Sequence, residues 1–166
     1  MCQTSNTDSS SSTERRVQAV LVLGDTVYFG GRFNQVVPPG GGPSVSRNHL
    51  AACSLSTGRI LPWNPDTEGD SVSTGGGDVY ALATDGERIY AGGAFDRVGG
   101  VPASGIVALP ADPGIADPKP LQWGSRPTPV VHPSRAVKSL ALSGRTLFAG
   151  GTFAKVNDVE RTGLAA

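Results

Sequence analysis

Val27-Tyr28-Phe29-Gly30-Gly31-Arg32-Phe33 returns as Ile89-Tyr90-Ala91-Gly92-Gly93-Ala94-Phe95 and again as Leu147-Phe148-Ala149-Gly150-Gly151-Thr152-Phe153. From Gly30 to Gly92 is 62 residues and from Gly92 to Gly150 is 58, so a unit of about 60 residues repeats with small changes of loop length. A unit of that size cannot bury an apolar face alone, and the core is therefore expected between neighbouring units.

The residues flanking the phrase extend the period. Ahead of it stand Val17–Val22, Val79–Thr84 and Val137–Leu142, short β-compatible runs that lead into Gly24-Asp25, Asp85-Gly86 and Ser143-Gly144. A Gly-containing link between two such runs predicts a hairpin. Two glycines suit a bulge or a close backbone approach, and the Phe that follows supplies a large apolar anchor. The repeat positions taken as structural are thus Gly30, Gly31, Phe33, Gly92, Gly93, Phe95, Gly150, Gly151 and Phe153.

A third strand is expected at Arg47–Cys53, at Gly105–Leu109 and at the final Arg161–Ala166. A fourth is indicated by Thr57–Trp63 and by Lys119–Trp123, with Trp63 and Trp123 as second anchors. The stretch from Val36 to Arg47 is six residues longer than that from Val156 to Arg161, an excess expected in the Pro- and Gly-rich loop around Pro38 to Pro43. Four short strands in each unit predict an all-β chain of propeller-type antiparallel blades. The expected organisation is a Ser/Thr-rich disordered tail at 1–16, then a repeat region at 17–166: one blade over about 17–65, a second over about 79–124 and part of a third over about 137–166. About two and a half blades imply an incomplete propeller.

Composition narrows the function. The 23 Gly and 13 Pro fit a turn-rich β protein. Fourteen Lys plus Arg balance 14 Asp plus Glu, so no global field draws a nucleic acid. No apolar run approaches the ~18 residues of a membrane span, and no leader precedes the first strand. Cys2 and Cys53 have no metal or redox spacing; Cys53 is expected buried and reduced, since a bridge would need the tail to fold back onto a sheet face.

The residues that could carry chemistry are few. His49 and His132 do not recur between units and are read as polar strand-end and loop residues. Asp66, Glu68 and Asp70 cluster, but without the full twelve-residue calcium loop they read as a solvated turn. The Gly-Gly pairs lack the following helix and Lys-Ser/Thr of a phosphate loop. No nucleophile elbow or zinc motif occurs. No catalytic, cofactor-binding or metal-binding residue is assigned, and the chain is read as not an enzyme.

In combination, the Gly-Gly-x-Phe phrases, the Arg-x-x-Leu-Ala-Ala strand at Arg47–Ala52 and Thr-Gly-x-x-x-x-Trp-Asn-Pro at Thr57–Pro65 resemble the delta-60 repeat family of bacterial β-propellers. The resemblance spans about Val17 to Ala166. It departs in the second unit, where Ala103-Ser104-Gly105 replaces the Arg that opens the third strand. What it implies is the propeller architecture and an extracellular or cell-surface setting. Ala52–Gly58 followed by Trp63 is also similar to the tryptophan-docking repeat of quinoprotein propellers, with Ser54 where that repeat has Asp. Cys2 followed by a Ser/Thr/Asn/Asp stretch likewise resembles a bacterial lipoprotein tether.

The function expected on these grounds is a noncatalytic repeat scaffold that presents variable loops, at Val37–Ser46, Ala111–Pro118 and Gly124–Pro133, to a protein or glycan. The alternative is a fragment of a propeller enzyme whose active site needs further blades. Uncapped blade faces imply self-association.

Overall fold

The computed structural model describes residues 2–5, 15–69, 76–122, 131–132 and 136–166. Trp123, the expected second-unit anchor, lies outside these residues, as do Asp70 and 6–14 of the expected tail. Every unit contributes six strands in the same order. The first has β1 (Gln3–Ser5), β2 (Arg16–Leu23), β3 (Thr26–Arg32), β4 (Gln35–Val37), β5 (Val45–Ser46) and β6 (Leu50–Ser54). The second has β7 (Thr67–Glu68), β8 (Val79–Thr84), β9 (Arg88–Gly93), β10 (Arg97–Val98), β11 (Val101–Pro102) and β12 (Ile106–Pro110). The third has β13 (Val131–His132), β14 (Ala136–Ser143), β15 (Thr146–Thr152), β16 (Lys155–Val156), β17 (Val159–Glu160) and β18 (Leu164–Ala165).

All pairings are antiparallel. Each unit holds a main sheet, β2-β3-β6, β8-β9-β12 or β14-β15-β18, and a small one, β1-β4-β5, β7-β10-β11 or β13-β16-β17. The chain is thus all-β, built of small antiparallel sheets, with no helix among the described residues and no sheet that closes on itself.

Alternation along the central strands places successive side chains on opposite faces. Tyr28, Leu50 and Ala52 of the first unit, with Trp63, share one core with Val79, Ile89, Ala91, Val107 and Leu109 of the second. Tyr90, Ile106 and Ala108 share another with Val137, Leu147, Ala149 and Phe153 of the third. The Phe that ends each phrase clusters with a small-sheet valine: Phe33 with Val36, Phe95 with Val98, Phe153 with Val156.

The two glycines have different work. In all three main sheets the register skips one residue, at Gln18, Tyr80 and Lys138, which makes a β-bulge at the start of the first strand. A Cβ on the second glycine would lie 1.9 Å from the Arg16 carbonyl oxygen at Gly31, 2.1 Å from that of Asp78 at Gly93 and 2.1 Å from that of Ala136 at Gly151. That glycine lets the two backbones meet at the bulge. The first glycine makes room for the next unit: a Cβ on Gly30 would lie 2.5 Å from Val79 Cγ1, and one on Gly92 would lie 2.7 Å from Val137 Cγ1.

Four expectations are corrected. The fourth strand is reduced to one bridge, Cys53 to Ile60, flanked by Ser54 N–H to Arg59 O and Leu61 N–H to Ala52 O. The corresponding run of the second unit makes one such bond, Leu121 N–H to Ala108 O. The third strand starts later than expected, at Leu50, because His49 takes a left-handed φ of 64°.

The start of the expected tail is a strand. β1 pairs with β4 as β7 pairs with β10, so Thr4 opposite Val36 occupies the place of Thr67 opposite Val98. This pairing brings Cys2 to Cys53, and the two form a disulfide with Cα atoms 6.8 Å apart. Cys53 is therefore buried but not reduced.

Candidate functional site

Two places gather residues whose presence the repeat does not require. The first is the polar end of the junction between the first two units. Arg32 follows the glycine pair, Asp78 immediately precedes the bulge of the second unit, and both Arg32 Nε and Nη2 reach Asp78 Oδ2, at 2.7 and 2.6 Å. Asp78 is buried, and its Oδ1 has no hydrogen-bond partner. His49 Nδ1 stands 3.6 Å from that oxygen and 3.1 Å from the carbonyl oxygen of Gly31. A carbonyl only accepts, so Nδ1–H donates to Gly31.

His49 sits in the slot that glycine fills in the other units. Gly31, Gly93 and Gly151 donate their N–H to the carbonyls of His49, Gly105 and Gly163, whose φ values are 64°, 74° and 73°. The left-handed backbone is cheap for Gly105 and Gly163 and strained for a histidine. Burial keeps the His49 imidazole neutral by lowering its pKa; the Gly31 carbonyl and the Asp78 and Asp66 charges act the other way, and Arg32 adds to the lowering.

The hydrogen bond to Asp78 raises the Arg32 pKa and so holds its charge. Burial and then Asp78 push the Tyr80 hydroxyl up, while burial draws Lys138 down against the pull of Asp78. Lys138 Nζ lies 3.6 Å above the Tyr80 ring, so the bulge residues of the second and third units stack on one another. Asn48 donates to Asp66 at 2.6 Å, and Thr67 Oγ1 donates to the Gly77 carbonyl at 2.9 Å. This cluster registers one unit on the next. Within it the His49 ring faces the buried Asp78 carboxylate.

The second place is a loop edge. In the second and third units the small-sheet hairpins turn through two residues at positive φ, Gly99-Gly100 and Asn157-Asp158, the mirror-type turn that suits strand twist. The first unit has eight residues, 37–44, between paired Val36 and Val45, and the six-residue excess falls there. Residues 39–44 are exposed. A Cβ on Gly58 would lie 2.6 Å from Pro39, so this loop rests on the segment after β6. In the second unit Lys119 Nζ donates to the Gly99 carbonyl at 2.8 Å and pairs with Asp117, joining the segment after β12 to a hairpin tip. Hairpin tips and post-sheet loops thus share an edge.

Of the residues singled out in the sequence, the glycine pairs and Phe33, Phe95 and Phe153 lie at the ends of the central strands. Trp63 is fully buried, edge-on to Tyr28 at 5.0 Å, and donates from Nε1 to the Pro110 carbonyl. Asp66 belongs to the junction; Glu68 pairs across to Arg97 in the small sheet, and His132 lies on β13 in a different unit. Among the described residues no three His, Cys, Asp or Glu side chains are grouped to hold a metal, and no helix is long and apolar enough to cross a membrane. Arg32 and Asp78 escape the sequence reading because they do not recur: Ala94 and Thr152 stand where Arg32 does. A scan against protein-family models gives no match for this chain, and a search of curated proteins gives none.

Proposed function

We propose that this chain is a noncatalytic scaffold of propeller-type repeats, akin to the delta-60 repeats, that presents its loop edge to a protein or glycan partner. The observation that carries the reading is the contrast within one edge. Two hairpins turn in the minimum of two residues, while the first is opened into an eight-residue loop, exposed over 39–44 and seated on Gly58. Elaborated loops on a rigid sheet scaffold are a common place for recognition. The Cys2–Cys53 disulfide supports an oxidising, extracytoplasmic setting for that recognition.

Deleting residues 38–43 leaves a two-residue connection like those of the other units, and the sheets should keep their melting temperature. Ligands selected on a glycan array or from a displayed peptide library should lose binding to the deleted chain. Undiminished binding of every selected ligand to the shortened chain would overturn the loop assignment.

A further inference from the structure

The Cys2–Cys53 disulfide stands where the two supports of the eight-residue loop meet. The stem that leads into the loop is β4, and β1 flanks it, with Gln3 opposite Val37, Thr4 opposite Val36 and Ser5 opposite Gln35. Asn34 N–H, at the foot of that stem, donates to the Ser5 carbonyl at 3.3 Å. Cys2 directly precedes this strand. The second support is the segment after β6, where Gly58 bears Pro39. Cys53 belongs to β6, and the Cys2 sulfur lies 3.0 Å from the Gly58 carbonyl oxygen. One covalent bond therefore ties the strand beside the loop to the segment beneath it.

The second unit has the same frame without the bond. The register puts Leu109 in the place of Cys53, and Pro65, two residues ahead of Thr67, in the place of Cys2 two residues ahead of Thr4. Both are buried, so apolar packing fills that place under a hairpin that turns in two residues. The cross-link occurs in the unit whose hairpin is opened. It has more to hold there: β1 is only three residues long, and Pro38, Pro39 and Pro43 of the loop have no N–H to bond. So short a strand is marginal alone, and a cross-link that restricts the open chain keeps it paired.

We infer that the disulfide is a redox clasp on the loop: oxidised, it keeps β1 on β4 and Pro39 on Gly58; reduced, it lets β1 part from β4, and the loop leaves its seat. A dithiol makes the change. One of its thiolates bonds to the Cys2 sulfur, the sulfur–sulfur bond breaks, and Cys53 leaves as a thiolate that takes up a proton. The second thiolate then displaces Cys2 from the mixed disulfide, so two electrons pass from the dithiol, which ends as a disulfide, to the two cysteines, which end as thiols. Control of binding by this clasp rests on the loop-recognition reading, whereas the clasp itself does not.

Nuclear Overhauser contacts read the clasp without any ligand. Contacts between Gln3 and Val37 and between Pro39 and Gly58 should be present in the oxidised chain and lost with dithiothreitol, while those between Tyr90 and Ala108 in the second main sheet persist. Oxidised glutathione should restore them. Cys2→Ser should lack the first two contacts with or without reductant, and Cys2→Ala gives the same read-out should the serine variant fail to fold. Ligands whose binding the 38–43 deletion abolishes should bind the reduced chain at least about 10-fold more weakly. First-unit contacts that survive reduction, or a loss of the Tyr90–Ala108 contacts along with them, would overturn the clasp. Equal binding of loop-dependent ligands to both redox forms would overturn its control of recognition. Ligands that the deletion leaves bound to the oxidised chain count against the loop reading alone, because the contacts are read without them.

Discussion

The junction between the first two units and the open face of the third are built from the same positions and live in opposite environments. Leu50 and Tyr28 are dry under the second unit; Leu164 and Phe148, in the same register, face solvent. The residue types differ little, so burial in this molecule is a property of the neighbour rather than of the strand. Stability is correspondingly concentrated at the seams between units, as expected when each unit alone buries little. The junction also carries what the open face lacks: the Arg32–Asp78 pair and the Tyr28 hydroxyl bond to Ala111.

Substitutions can separate what belongs to the unit from what belongs to the seam. The largest effect is expected within the unit, from Gly93→Ala, whose methyl would sit 2.1 Å from the Asp78 carbonyl oxygen. Urea denaturation should register a loss of about 4 kcal/mol or more, since backbone must move to admit it. At the seam, Leu50→Ala should cost about 2–5 kcal/mol. Leu164→Ala, assayed on dilute protein, should cost less than about 0.5 kcal/mol, as for an ordinary surface site. Equal costs would break the comparison.

The disulfide comes next. It closes a loop with a sequence separation of 51, and Cys53→Ser should lower stability by about 2–4 kcal/mol. Reductant should reproduce that loss in the parent chain and change nothing in the variant.

A further, small effect concerns His49. Burial lowers its pKa in the fold, so the unfolded chain takes up the proton first. The stability this contributes is complete above pH ~6.5 and declines as the pH falls below it. Thermal melts from pH 8 to 5 should show that decline, and His49→Gly should flatten it near pH 6.5. The same variant, now like Gly105 and Gly163, should change stability at pH 7 by less than about 1 kcal/mol. An unchanged pH profile would show that protonation of His49 is not linked to folding.

What the sequence makes legible is whatever recurs with a period. The central strands announce themselves through three copies of Gly-Gly-x-Phe, and the leading strands through apolar runs ending at Gly-containing turns. The small sheets leave almost no trace. A two-residue strand such as Thr67–Glu68 has no room for alternation, and Thr4, its counterpart, is embedded in a polar stretch indistinguishable by composition from a loose tail. The disulfide hides for the same reason, because Cys2 reaches Cys53 only through that unreadable pairing. The error in the other direction is a full fourth strand at Thr57–Trp63, where the apolar residues Ile60, Leu61 and Trp63 suggest a strand but only one bridge, Cys53 to Ile60, forms. The junction cluster is illegible because Arg32 and Asp78 stand 46 residues apart and neither position repeats its chemistry.

The covalent link between Cys2 and Cys53 also determines how the molecule answers a pull. Tension applied between the ends of the oxidised chain passes across the sulfur–sulfur bond and by-passes the backbone between them, so the first hairpin and its long loop never enter the line of force. Stretched to its full contour, the oxidised chain should fall short of the reduced one by about 170 Å, at ~3.3–3.6 Å for each of the 51 residues of separation. Under load, the first unit is a rigid handle and the second and third are the parts that yield.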